Sequence, residues 1–205
     1  MGYDMKKKIF SYLVVFIVLI VSAYYALAWY SLTQSDIQRL IVYSLEPETS
    51  RYPPKLAEYY LYNFRGTEED IAFLEERNGI GFVLNGADIP KESVFDHIDF
   101  LLKKGCDINS VGFDGFTALH GAILDNMPEY VAFLLKRGAD INVKVGYSRI
   151  YGKEEKTQYS GMNAIELANY LSKKDKKDRS TVIEILTRHG NQKNHMKPSS
   201  MRDDL

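Results

Sequence analysis

DGFTALHGAILDNMPEYVAFLLKRGADIN, running from Asp114 to Asn142, is the stretch on which the fold turns. Two short apolar runs flank a polar turn at Asp125 and Asn126, and the second run ends at Gly138. That is the pattern of a helix, a turn and a second helix with a glycine stop. The segment GADIN at Gly138–Asn142 has a counterpart, GCDIN at Gly105–Asn109, 33 residues earlier. A fixed period of that length marks a solenoid, in which each unit buries its apolar face against its neighbours.

The wording resembles the ankyrin repeat. Asp114, Gly115, Thr117, Leu119, His120 and Ala122 stand where that family's first helix and its hairpin want them, and Glu129, Val131, Leu134, Leu135, Gly138, Ala139, Asp140 and Asn142 match its second helix and closing turn. Ala118, Asn126 and Met127 depart from it, replacing the usual Pro, Gly and second His. The resemblance implies an all-α solenoid of helix-turn-helix units with hairpin loops. It implies that Thr117 caps a helix and that His120 bonds the turn backbone and neighbouring repeats. It further implies that hairpin tips and inner helices bind a protein partner. The matching positions are Val111, Phe113, Asp114, Phe116, Leu124 and Asp125.

Outward from this unit, the register recurs at Ser160–Ala168, and Val182–Gly190 repeats Val131–Gly138 in outline. Gly115 to Gly161 is 46 residues, one period plus 13, and the surplus falls at 146–158. Gly161 to Gly190 exceeds Gly115 to Gly138 by six residues, which fall at 172–180. Insertions in a solenoid land on loops, often on the binding face. The first carries Tyr147, Arg149, Ile150 and Tyr151, followed by Tyr159, residue types that anchor interfaces, and is expected to be a partner-contacting finger. The second is lysine-rich and is expected to be a solvated loop. The last helix is expected to end at His189 and Gly190, and the polar segment 191–205 to be a disordered tail.

Upstream, Lys91–Lys104 is helical, with Val94, Phe95, Ile98, Leu101 and Leu102 on one face. Thr67 can cap a further helix, and Ile80–Leu84 reads as another turn or two. Residues 67–190 are therefore expected to be repeats, degenerate at their start. Residues 31–66, with one helix capped at Ser35 or Asp36 and another opened by Pro54, are expected to cap the stack at its N-terminal side.

Residues 1–30 differ from everything that follows. Lys6, Lys7 and Lys8 precede 22 residues, Ile9–Tyr30, without a formal charge, and Tyr24, Tyr25, Trp29 and Tyr30 gather at the far end. About 20 apolar residues suffice to span a bilayer, and aromatics favour its interfaces. The lysines predict a cytoplasmic N-terminus, an inner-membrane anchor through residues 9–30 and a repeat domain on the periplasmic side. Ala26-Leu27-Ala28 also fits a signal-peptidase site, which would leave a soluble periplasmic protein. No cysteine stands directly after the apolar run, so the segment is not a lipoprotein signal.

The chain has 205 residues and a formal charge of −1; beyond residue 30 there are 23 Lys and Arg against 26 Asp and Glu, a balance that argues against nucleic acid. A single cysteine, Cys106, provides neither a disulfide framework nor a cysteine-based zinc site. No histidine pair has metalloprotease spacing, and no phosphate-binding, nucleophile-elbow or calcium-loop motif is present. The expectation is a non-enzymatic binding protein with no cofactor, no metal and no small-molecule substrate. Small bacterial ankyrin proteins with an export segment resemble the immunity partners of secreted antibacterial effectors, including type VI phospholipase toxins. By that resemblance the partner is a secreted toxin. The alternatives are a scaffold or chaperone-like adaptor for a resident periplasmic protein, and a eukaryotic membrane protein ending in Arg202-Asp203-Asp204-Leu205.

Overall fold

The computed structural model describes residues 2–46, 50–84, 90–149, 153–175 and 177–195. Among these there is no strand, only one isolated bridge between Ser148 and Glu155. The chain divides into two compact units, 1–65 and 66–205.

The first unit holds α1 (Gly2–Thr33), α2 (Ile37–Leu45) and α3 (Pro54–Phe64). Every residue from Met5 to Leu27 is exposed, whereas Ala28 and Leu32 are fully buried. The helix therefore does not end with the apolar run at residue 30; nothing in Ser31-Leu32-Thr33 breaks it. Asp36 caps α2 by accepting the Arg39 N–H at 2.8 Å. Pro54 opens α3, where its missing N–H costs nothing. α2 packs on α3 and α3 on α1, with Leu40, Ile41, Ala57 and Leu61 in the core. Segment 31–66, expected as a cap of the repeat stack, thus falls almost entirely within the compact unit that contains α1.

The second unit contains α4 (Glu68–Glu75), a 3₁₀ helix (Gly79–Leu84), α5 (Lys91–Lys103), α6 (Ala118–Leu124), α7 (Pro128–Lys136), α8 (Ala164–Lys174) and α9 (Ser180–His195). The 3₁₀ helix pairs with α5, α6 with α7 and α8 with α9, three helical hairpins in succession. The leading helices stack in one layer, the 3₁₀ helix on α6 and α6 on α8, while α7 stacks on α9 in the other. Ile80, Ile98, Leu101, Leu119, Ile123 and Leu134 fill the space between, each under 2% exposed.

Local chemistry repeats with the units. Thr67 with Asp70, Thr117 with His120, and Asn163 with Glu166 each form a reciprocal capping box. The turn from α6 to α7 is made by Asn126 at φ 58, in the left-handed region where the family's usual residue is glycine. Gly105 and Gly138 have φ 97 and 98, and in both cases the residue after the glycine bonds back across the helix end: Cys106 N–H to the Leu101 carbonyl at 3.0 Å, Ala139 N–H to that of Leu134 at 3.1 Å.

Gly190 breaks the pattern. α9 runs through it to His195, five residues past the expected stop, so Asn191–His195 are helical. The earlier stops are held by a buried apolar residue after the glycine, Cys106 or Ala139; here Asn191 is polar and exposed, so nothing pulls the chain out of the helix. Residues 196–205, the rest of the expected tail, lie outside the described residues.

His120 is 1% exposed, and its Nδ1 accepts the Thr117 N–H at 3.2 Å while its own N–H donates to Thr117 Oγ1. Burial disfavours the imidazolium and lowers its pKa from 6.5 to about 4. Above pH 6.5 neither folded nor unfolded chain takes up this proton. Below it only the unfolded chain does, so stability drops as pH falls from 6.5 to about 4, by about 3 kcal/mol in all. Denaturant titrations at pH 7.5 and 4.5 should show this loss, and the His120→Gln variant should show a smaller pH difference than the parent.

Candidate functional site

Backbone hydrogen bonds set the hairpin tips in a row. Gly115 and Gly161 adopt φ 86 and 88, each two residues before the capping residue of the helix that follows, Thr117 of α6 and Asn163 of α8. The Phe113 N–H donates to the Arg77 carbonyl at 2.6 Å, and the Phe113 carbonyl accepts the Arg149 N–H at 2.6 Å. The Gly146 N–H reaches the Gly115 carbonyl at 2.8 Å, and the Gly161 N–H reaches that of Val145 at 2.8 Å. A Cβ at Gly115 would lie 2.8 Å from the Gly146 carbonyl oxygen, so close approach as well as φ demands glycine there.

The tips hold the sequence-predicted residues in two different ways. Phe113 (41% exposed), Tyr147 (53%), Arg149 and Asp125 face solvent, although the Phe113 and Arg149 backbones are tied down. Phe116 is half-buried. Its ring lies 5.9 Å from that of Tyr159 on the next tip and 6.3 Å from His120, so it serves in packing between neighbouring units. Asp114 accepts the Phe116 N–H at 3.0 Å, a turn-forming role. Val111 is half-buried and near Gly146. Leu124 is also half-buried, and Asp125 is the C-cap of α6. Tyr151, with Ile150, lies outside the described residues.

The 146–158 insertion is anchored at its base. Ser148 and Glu155 exchange backbone hydrogen bonds of 3.0 and 2.8 Å, and Ser160 Oγ donates to the Gly146 carbonyl at 2.9 Å. A paired extension therefore leaves the tip beside Phe113 and carries Tyr147 and Arg149 on its first limb. Tyr159 continues a row that the sequence did not suggest. Its ring is 5.9 Å from Tyr170, the Lys174 ammonium lies within 6 Å of both rings, and Lys174 Nζ donates to Gln158 Oε1 at 2.7 Å. Tyr170 stands seven residues after the cap Asn163, as Leu124 stands seven after Thr117; that shared register is the signal that could have revealed it.

The 172–180 insertion is exposed, as expected of a solvated loop, at Ser172, Lys173, Lys174, Lys177, Asp178 and Ser180, but it is partly helical and Arg179 turns inward. Residues 172–174 lengthen α8, and Arg179 is 2% exposed. Its guanidinium donates to the carbonyls of Ile123 and Leu124, the latter at 3.0 Å, and pairs with both carboxylate oxygens of Asp175. Asn126 Nδ2 reaches the Asp178 carbonyl at 3.0 Å. The added residues thus turn back onto the C-terminal end of α6 and satisfy carbonyls left open there. A fork of donors was needed, which is why arginine and not one of the neighbouring lysines turns inward.

Reactive groups are few. Burial, with Glu75 adding to it, pushes the Cys106 thiol up to about 12, which keeps it protonated and unreactive. Among the described residues no group of three or more His, Cys, Asp or Glu side chains could hold a metal ion.

An exposed row of hairpin tips on stacked helix pairs defines a repeat protein of the interaction class. Residues 91–145 match a family model described as ankyrin repeats (3 copies), so the chain contains an ankyrin-repeat domain. Such repeats are modules for protein–protein interaction, typically without catalysis. A comparison with curated proteins returned no match.

Arg179→Met should destabilise the repeat domain by about 2–3 kcal/mol, because it strips a buried charge-assisted donor from two carbonyls. Arg179→Lys should recover only part of this, since an ammonium cannot span both carbonyls and Asp175. Denaturant unfolding checks both; wild-type stability in Arg179→Met would show that the contact is ornamental.

Proposed function

We propose that this chain is a membrane-tethered binding protein whose ankyrin repeats engage a protein partner across the bilayer from Lys6–Lys8. The observation that carries the reading is the edge formed by Phe113, Tyr147 and Arg149. Two exposed aromatics and an arginine stand on backbone that is hydrogen-bonded from tip to tip. Rigid aromatic anchors beside an arginine are the usual energetic centre of a protein interface, and a fixed backbone lowers the entropy lost on binding.

The tether is α1, long and apolar enough to cross a membrane. Retention, rather than cleavage after Ala28, is supported by local structure. Ala28 is fully buried within continuous helix, and Leu32 one turn on is buried too. A peptidase acts on exposed, unpaired backbone, which this site does not offer. The lysines on the near side favour a cytoplasmic N-terminus and a periplasmic repeat domain.

Within this reading the partner is a secreted antibacterial effector and the chain is its immunity protein. A tether concentrates an inhibitor at the membrane that such a toxin attacks. Co-expression with an effector encoded beside this chain should restore growth, and the Phe113→Ser/Tyr147→Ser double variant should lose that protection with an unchanged melting curve. Capture of an abundant resident periplasmic protein, with no protection against any neighbouring effector, would replace the immunity role with a scaffold.

Topology is tested separately. Alkaline phosphatase fused after Ser50 should be active in intact cells; an inactive fusion of full length would place the repeats in the cytoplasm.

A further inference from the structure

The first unit places a second set of aromatic residues against the end of α1. We infer that α3 lies in the outer interfacial layer of the bilayer, with Tyr60 and Phe64 among the lipid headgroups, so that the first unit is a membrane-seated collar. The inference rests on the proposed membrane anchoring of α1.

The geometry follows from depth. The exposed, uncharged run Ile9–Leu27 is about 28 Å long at 1.5 Å per residue, close to the hydrocarbon thickness of about 30 Å. Its far end is therefore the outer boundary of the hydrocarbon. Trp29 sits just beyond that end, and its ring lies 5.1 Å from Tyr60 and 5.5 Å from Phe64, edge to face in both cases. Side chains in ring contact with a residue at the boundary are held at the boundary. In the segment just before α3, Tyr24 donates to the Arg51 carbonyl at 3.1 Å and its ring is 6.4 Å from Tyr52.

The two points of contact are five residues apart on α1, about 7.5 Å of rise, whereas α3 itself is about 16 Å long. The helix thus lies across α1, closer to the plane of a bilayer than to its normal. Phe64 remains 51% exposed after this packing. An aromatic edge at this level, continuous with the lipid-facing surface of α1, fits the headgroup region, where amphipathic rings are favoured.

Trp29 is the single tryptophan of the chain, which makes the test direct. The full-length protein is reconstituted into phosphatidylcholine–phosphatidylglycerol vesicles brominated either near the headgroup end of the acyl chains or near their termini. Emission from Trp29 reads the depth of α1. In a Trp29→Phe background, Phe64→Trp moves the reporter onto α3. If that variant does not melt cooperatively, Tyr59→Trp, whose parent ring contacts Phe64, takes its place. The expected result is that shallow bromine quenches the α3 reporter as strongly as it quenches Trp29, and deep bromine quenches it less. Strong quenching of Trp29 with undiminished emission from the α3 reporter would overturn the collar and leave the anchor standing. Undiminished emission from Trp29 itself would overturn the anchor, and the collar with it.

Discussion

Each repeat has too little apolar surface to fold alone, so the constraint on which this domain depends is the fastening of one repeat to the next. Backbone and side-chain hydrogen bonds do this at two levels. At the hairpin tips, the N–H of Phe113 meets the carbonyl of Arg77, and the N–H of Gly146 meets that of Gly115. Below them, Asp107 N–H donates to Glu75 at 2.7 Å and Asp140 N–H to the Asn109 side chain at 2.8 Å. The recurring Asp-Ile-Asn of the two closing turns thus has a mechanical meaning. In each, Asp accepts the backbone N–H of Asn two residues on, and the first turn's Asn reaches the next repeat. Because backbone supplies the tip contacts, side chains such as Phe113 and Tyr147 are released from structural duty.

The second layer is joined differently. Phe95 stacks on Phe133 at 3.9 Å, and the Arg137 guanidinium lies 3.5 Å from the Phe133 centroid while pairing with Asp99. That ion pair holds the Asp99 carboxyl below its usual range. The pair is partly exposed and contributes little by its charge. Its effect is to fix the guanidinium over the ring, so α5 and α7 are linked by a stack instead of by backbone.

The two insertions show how the same solenoid absorbs extra chain for opposite ends. The longer one leaves the tip row and pairs with itself through Ser148 and Glu155, which projects new side chains without disturbing the register. The shorter one turns inward and, through Arg179, closes the C-terminal end of α6. A buried guanidinium is costly to desolvate; here two carbonyls and a carboxylate compensate it. One insertion adds surface, the other adds cohesion, and their polar compositions look alike.

The repeat pattern from Asp114 to Asn142 was legible because its period, its glycine stops and its capping residues are local requirements, each set by backbone geometry. The helix starts at Asp36, Pro54, Thr67, Thr117 and Asn163 follow from the same kind of rule. What sequence alone misjudged were the outcomes that hang on a distant partner. Phe113 and Phe116 read alike, yet Tyr159 takes only Phe116 into packing. Arg179 sits among lysines and reads as solvated until the open carbonyls of Ile123 and Leu124 are brought beside it. Gly190 looks like Gly138, but no buried residue follows it to end the helix. The aromatic end of α1 reads as a membrane belt; that Tyr60 and Phe64 pack against it is decided by the fold of α2 and α3. Local backbone chemistry determined the elements, and tertiary contact decided which side chains remained free, because burial depends on residues far away along the chain.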